Sequence, residues 1–367
     1  MSPGHVDPPG LTSVGRQIGK PRAVRLGHET TGAGSGFLVL IPVYNDWTAV
    51  AVLLNQLDTV LTTSGLAARI LLVDDGSTDA VPSEFGDRSF DALEEILVLS
   101  LRRNMGHQRA IAIALAYAYE QLSPRAVVVM DGDGEDSPDD VPRLVERLAA
   151  NSDNVVVFAE RRRRSESLWF RWCYALYRWC HLLLTGIPVR VGNFSIVPAT
   201  QLERLVVVSE LWNHYAAAVF KARIPHDTIP TERARRLSGP SHMNFVGLVA
   251  HGLSALSVHA ETMGVRLLVL TMVAVLGIGT LIGAVVAVRF LTPFAIPGWA
   301  TTATGILAVL LIKGASLAVM FSFLVLHGRS QPSFVPLRDY SLFIRALETA
   351  SAARRHAVRA SAGALGT

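Results

Sequence analysis

The stretch "VVVMDGDGEDSPDD", residues 127–140, sets four apolar residues directly against six acids within ten positions. A short apolar run bounded by turn residues reads as a buried strand. Acids crowded onto its end have two readings, a solvated loop or a cation site facing a phosphate. Asp131, Asp133 and Glu135 alternate, and an extended backbone would aim all three to one side. Three such carboxylates repel unless a cation offsets them. Hard oxygen donors suit Mg²⁺ or Mn²⁺, which takes one or two carboxylates and completes its shell with phosphate and water. Asp136, Asp139 and Asp140 are expected in the first turn of the next helix, with Ser137 as its cap and Pro138 in that turn. There the helix dipole favours them.

Four further runs share the character of residues 126–130: "FLVLIPV" (37–43), "RILLVDD" (69–75), "EILVLSL" (95–101) and "NVVVF" (154–158). Helical patterns separate several of them: "DWTAVAVLLNQLDTVL", capped by Asn45 or Asp46, then "GHQRAIAIALAYAYEQL", then "SPDDVPRLVERL". Continuous apolar strands alternating with helices predict an α/β domain whose mostly parallel sheet is covered on both faces. Ligands of such sheets bind beyond the carboxyl ends of the strands. Polar residues gather there: Pro42, Tyr44, Asn45 and Asp46 after the first strand, Asp74, Asp75, Gly76 and Ser77 after the second, Asn104, Met105 and Gly106 after the third.

The 367 residues are 50% hydrophobic and 17% charged, with mean hydropathy +0.35, a balance that points towards a membrane. Leu267–Val288 is uncharged and long enough to cross a bilayer; Trp299–Leu326 is interrupted only by Lys313. The link "RFLTPFAIPGW" holds one arginine, whereas the region after His327 holds six. That bias predicts a multi-pass chain of two spans in the inner, cytoplasmic membrane, with the large domain and both termini cytoplasmic. Residues 1–35 lack an apolar signal segment and read as a disordered tail. The predicted order is therefore a domain at 36–235, juxtamembrane amphipathic helices at 236–264, a transmembrane hairpin at 265–327 and a basic tail at 328–367. Cys173 and Cys180 share one helical face and read as free thiols of a reducing compartment. Lys313 is expected to make a helix–helix or oligomer contact, to snorkel, or to meet a lipid ligand.

In chain order, "IPVYND", "LLVDDGSTD", "NMGHQRA", "VVVMDGDGEDSPDD" and "RLSGPSHMNF" resemble the motif series of family 2 glycosyltransferases with the GT-A (Rossmann-like) fold. Within that family, residues 37–330 are most similar to the membrane-anchored polyprenyl-phosphate glycosyltransferases. The resemblance implies inverting transfer of a sugar from a UDP- or GDP-sugar to a polyprenyl (undecaprenyl or dolichyl) phosphate at the cytoplasmic membrane face, serving cell-envelope glycans. It implies Asp131, Asp133 and Arg171 as catalytic groups. Pro42, Tyr44, Asn45, Asp46, Asp74, Asp75, Gly106 and Asp131 would line the nucleotide-sugar site, and Asp131, Asp133 and Glu135 would hold Mg²⁺ or Mn²⁺. An ionised acceptor phosphate needs positioning more than a strong base.

An anionic acceptor needs cations, and "ERRRRSESLWFRWCYALYRWCHLLL" (160–184) interleaves arginines with aromatic rings, a pattern suited to a membrane interface. Arg161, Arg171, Arg178, Arg236, Ser241 and His242 are the expected acceptor-phosphate residues. The sequence departs from the family pattern at three positions: Glu135 in place of Gln, "GNFS" (192–195) in place of Gly-Asp-Phe-Arg, and His242 in place of Lys. A glycosyltransferase acting on a hydroxyl of a lipid-linked saccharide would instead need a carboxylate base, for which Glu210 is the candidate. A non-catalytic membrane scaffold is the reading from another class. No Q-x-x-R-W motif of processive synthases is present, and nothing points to nucleic acid.

Overall fold

The computed structural model describes residues 36–82, 85, 89–161, 182, 185–186, 191–232, 234, 236–237, 253–292, 298–330 and 334–352. Strands β1 (Phe37–Val43), β2 (Ala68–Asp74), β3 (Leu93–Leu101), β4 (Ala126–Val129), β5 (Val156–Arg161), β6 (Ser195–Pro198), β7 (His226–Thr231) and β8 (Ile344–Ala352) form one sheet. Their order is β7-β5-β6-β4-β1-β2-β3-β8. The centre, β4-β1-β2-β3, is parallel, whereas β6 and β8 run antiparallel to their neighbours. The five apolar runs are five of these strands. The other three carry weaker signals: β6 is four residues long, β7 is polar with Pro230 at a sheet edge, and β8 is rich in Ala and has no apolar alternation.

Alternation along the central strands divides the core in two. Leu38, Leu40, Leu71, Val73, Leu97 and Leu99 face helix α2 (His107–Tyr117), whose residues from Ala110 to Tyr117 are all buried. Val39, Ile41, Ile70, Leu72 and Val98 face α1 (Trp47–Thr63) and α3 (Asp140–Ala150). Helices α4 (Ala199–Leu205) and α5 (Tyr215–Lys221) extend the α2 side. The α/β architecture with both faces covered is as the sequence implies.

Helix starts differ in detail. Asp46 sits at the N-cap of α1 without a side-chain cap bond, and α3 begins at Asp140 behind a turn over Ser137–Asp139. Ser137 does not cap α3, and Asp136 lies before the helix.

Helices α6 (Ala260–Leu291) and α7 (Trp299–Ser330) are each 32 residues, with mean hydropathy 2.5 and 2.3 over their apolar spans. Each is long and apolar enough to cross a bilayer. They pack antiparallel through glycines: a Cβ at Gly314 would lie 2.9 Å from Val275 Cγ2, and one at Gly264 would run into Val325. Lys313, beside Gly314, is exposed on the hairpin surface.

The region after α7 departs from the expected tail. Helix α8 (Pro336–Asp339) leads into β8, which pairs with β3 along the outer edge of the sheet, and Tyr340 is buried. Residues 336–352 therefore belong to the domain, because β3 offers an unpaired edge that β8 covers. Residues 1–35 and 353–367 lie outside the described residues, as do Cys173 and Cys180. Since α6 leaves the domain and β8 returns to it, both ends of the hairpin are on the domain's side of any membrane it crosses. With Cys173 and Cys180 replaced by Ser, Pro297→Cys is expected to react with an impermeant thiol reagent only from the side opposite the domain. Reaction from the domain's side would show that the hairpin does not cross.

Candidate active site at the carboxyl edge of the sheet

The ends of β1, β2 and β4 meet at one edge. After β1, Asn45 adopts φ 54°, a left-handed conformation that Asn tolerates, and its side chain reaches the loop after β2. Its Oδ1 accepts hydrogen bonds from Thr78 N (2.8 Å) and Asp79 N (3.3 Å), while its own N–H donates to Ser77 Oγ (3.0 Å). Asp74 Oδ1 accepts from Ser77 N at 2.9 Å. Gly76, at φ 73°, is required here: a Cβ would sit 2.6 Å from Asn104 N. Pro42 is paired with Val73 in the β1–β2 register, and Tyr44 is 47% exposed at the rim.

Asp75 is only 3% exposed. Its carboxylate accepts from Met105 N (2.7 Å) and Gly106 N (2.9 Å), which fixes the turn leading into α2. Burial pushes its carboxyl above the usual range, although those two N–H groups and His107 act the other way. Asp75 thus shapes this edge of the sheet through the β3–α2 turn.

The acidic loop after β4 is not extended. Gly132 is packed against Ile41 and Pro42 O, each 3.2 Å from where its Cβ would be, and Gly134 turns at φ 81°. The alternation expected to aim three carboxylates together is therefore broken by the two glycines. Asp131 N donates to Asp136 Oδ2 at 2.9 Å, and Asp131 Oδ1 lies 3.1 Å from His107 Nε2. Asp133 Oδ1 accepts from Glu135 N (3.0 Å), and its Oδ2 lies 3.2 Å from Arg236 Nη1. Burial, followed by the charges of Asp131 and Glu135, holds the Asp133 carboxyl above the usual carboxylate range, against the pull of Glu135 N and Arg236. Among the described residues, no three His, Cys, Asp or Glu side chains converge as a metal cage. The donor set still fits a hard divalent ion that takes one or two carboxylates and fills its shell with phosphate oxygens and water. Asp131 and Asp133 offer two such carboxylates, and among the described residues Glu135 does not complete a triad with them. Of the last three acids, Asp136 braces Asp131 while Asp140 pairs with Arg143.

Arg236, expected as a phosphate ligand, also reaches Asp46, with Nη2 3.5 Å from Asp46 Oδ2. Arg161 closes β5 opposite Thr231. Arg171, Arg178, Ser241 and His242 lie outside the described residues.

Sequence reasoning missed a polar network on the α2 side. His107 Nε2 lies 3.0 Å from Asn193 Nδ2, Gln108 Nε2 donates to Asn193 Oδ1 (3.2 Å), and Gln108 Oε1 accepts from Tyr215 N (2.7 Å). Burial alone would lower the imidazolium of His107, but Asp131, Asp136 and Asp75 outweigh it and hold His107 above the ordinary histidine range. Its side chain is 41% exposed, which favours the charge contribution over desolvation. The signal was three polar residues, His107, Gln108 and Arg109, heading a helix that is otherwise apolar. Ser195 is wholly buried, its hydroxyl 2.6 Å from that of Tyr215, so its position faces the core.

Comparison with known proteins bears on this edge. The family model "Glycosyl transferase family 2" matches residues 38–200. An undecaprenyl-phosphate 4-deoxy-4-formamido-L-arabinose transferase of Pseudomonas aeruginosa is 31% identical over 220 residues, covering 58% of this chain and 62% of that protein. A protein of the same name from Klebsiella pneumoniae is 32% identical over 130 residues, 35% of this chain and 38% of its own length. The chain thus spans about three fifths or less of these relatives' length. Among solved structures, mannosyl-3-phosphoglycerate synthase from Rubrobacter xylanophilus aligns with TM-score 0.44 and 15% identity over 62% of this chain and 73% of its own. Glucosyl-3-phosphoglycerate synthase from Mycobacterium tuberculosis, solved with Mn²⁺, UDP and phosphoglyceric acid, aligns with TM-score 0.42 and 17% identity over 63% and 80%. Residues 38–200, which include the loops after β1, β2 and β4 that build the acidic edge, match the family model of glycosyl transferase family 2.

Proposed function

We propose that this protein transfers a sugar from a nucleoside-diphosphate sugar to a polyprenyl phosphate held at the membrane, with inversion at the anomeric carbon. The observation that carries this is the placement of Asp131 and Asp133 with Arg236 at the carboxyl edge of the sheet, in a domain continuous with a two-helix hairpin. Names of the relatives that act on undecaprenyl phosphate support the acceptor class. In the proposed reaction an acceptor phosphate oxygen attacks the anomeric carbon as the bond to the donor's diphosphate breaks. The electron pair leaves with the nucleoside diphosphate. The acceptor is already ionised, so no side chain need remove its proton.

Asn45 and Asp74 organise the loop that would cradle the nucleotide. Mg²⁺ or Mn²⁺, held by Asp131 and Asp133, would stabilise charge on the leaving diphosphate. Arg236, with Arg161, Arg171, Arg178, Ser241 and His242, is proposed to bind the acceptor phosphate. Glu210, the base that a hydroxyl acceptor would require, lies 3.8 Å from Lys221 Nζ and accepts from Ser209 Oγ at 3.1 Å, an engagement that favours the phosphate acceptor. The catalytic domain is proposed to face the cytoplasm.

The test incubates purified full-length protein in detergent with Mg²⁺, undecaprenyl phosphate and a panel of UDP- and GDP-sugars, with the lipid analysed by mass spectrometry. A lipid gaining one sugar residue while retaining one phosphate is the expected product. Donor hydrolysis abolished by EDTA, with no lipid product, would reject the acceptor and redirect the reading to a lipid-linked saccharide.

A further inference from the structure

We propose that Arg236 is a resident cation of the metal site, which a divalent ion must displace and which then moves onto phosphate. The inference rests on the metal reading above. One guanidinium bridges two carboxylates from different strand ends: Nη1 is 3.2 Å from Asp133 Oδ2 after β4, and Nη2 is 3.5 Å from Asp46 Oδ2 after β1. Backbone structure sets this position. Ala234 N donates to Glu135 O at 3.1 Å and Leu237 N donates to Asp133 O at 3.0 Å, so the segment around Arg236 is tied to the acidic loop on both sides of the arginine. Leu237 also packs on Gly134 so closely that any Cβ there would collide with it. The guanidinium is held over the carboxylates by its own chain.

Arg236 offsets part of the repulsion that Asp133 feels from Asp131 and Glu135. A dication held by the Asp133 carboxylate would repel the guanidinium that now sits 3.2 Å from Oδ2, so its binding would favour displacement of Nη1. The displaced fork is planar and carries paired donors, which suit the oxygens of a diphosphate or a lipid phosphate. Metal entry and phosphate capture are then coupled through one side chain: metal alone meets a competitor, whereas metal with a phosphate gives that competitor a new partner. Coupling of this kind is reciprocal.

The test reads metal binding and not turnover. Mn²⁺ is titrated into full-length protein in detergent, followed by the electron paramagnetic resonance of free Mn²⁺, with and without UDP or GDP. Arg236→Gln is expected to bind Mn²⁺ alone roughly three- to fivefold more tightly than the parent, the scale of removing a partly exposed ion pair. It is also expected to lose most of the enhancement by nucleotide. Equal or weaker binding of Mn²⁺ alone by that variant would overturn the inference, since Arg236 would then be arranging the carboxylates for the metal. If the Gln variant does not fold, Arg236→Lys decides: a point charge cannot bridge both carboxylates, and about two- to threefold tighter binding is expected. Unchanged or weaker binding by the Lys variant rejects the proposal. Failure of parent and variants alike to bind Mn²⁺, even with nucleotide, would reject the metal reading itself and this inference with it.

Discussion

Asp133→Ala is expected to reduce sugar transfer by roughly a thousandfold or more, with the melting temperature unchanged or slightly raised. The two effects have opposite signs for one physical reason. Burial and the charges of Asp131 and Glu135 disfavour the Asp133 carboxylate in the fold, and its contacts to Glu135 N and Arg236 only partly offset this. Removing that charge relieves repulsion within the loop. Gly132 and Gly134, with Leu237 packed over the latter, still hold the backbone in shape. Arg236 keeps Asp46 as a partner, so no cation is stranded. The measurements are initial transfer rates and thermal unfolding of the two proteins in one detergent. Full activity in the variant would sink the site assignment. A large drop in melting temperature would show that Asp133 serves the fold, and the lost activity would then say nothing about the reaction.

That loop also shows what the sequence could and could not convey. The strands β1 to β4 were legible because each is an apolar run buried on both sides, and in a chain of alternating elements such a run fits little besides a covered strand. The polar ends of those strands followed from the same argument. Side-chain direction did not, because alternation aims residues together only in extended backbone. Gly132 and Gly134 were the visible sign that Asp131 to Glu135 would turn. The pairing of Asp133 with Arg236, 103 residues apart, and of Asp131 with His107 depends on how loops close over the sheet edge, and no local pattern encodes that. The segment with Arg171 and Arg178, expected to meet the acceptor, lies outside the described residues, and only its aromatic and basic pattern speaks for that role. It enters the proposal on that footing.

The C-terminal strand was the least legible element, and removing it is expected to have the second large effect. "IRALETASA" carries helix formers and no alternation of strongly apolar residues, yet tertiary context makes it β8. It pairs antiparallel with β3 from Leu101↔Ile344 to Glu95↔Ala352 and covers an edge that would otherwise expose unpaired N–H and C=O groups beside Leu97 and Leu99. Ahead of it, Tyr340 is buried, its ring edge-on to Tyr117 at 6.3 Å and its hydroxyl accepting from Gln121 Nε2 at 3.2 Å. Trp212 packs against both Phe334 and Phe343 with tilted rings, centroids at 3.8 and 5.1 Å, so the segment leaving α7 is anchored to the domain before the strand begins. A chain ending before Pro336 is therefore expected to aggregate through the bare β3 edge even where α6 and α7 insert normally. Tyr340→Ala should lower stability by about 3 kcal/mol, a melting shift of roughly 6–12 °C for a domain of this size, whereas Tyr340→Phe should cost about 1 kcal/mol. Thermal unfolding of the three variants checks the order. A truncated chain that melts with the parent would mean that β8 rests on the sheet without supporting it. The hairpin would then be tied to the catalytic domain only through the segment that precedes α6, and the depth of the site above the membrane would no longer be fixed from both ends.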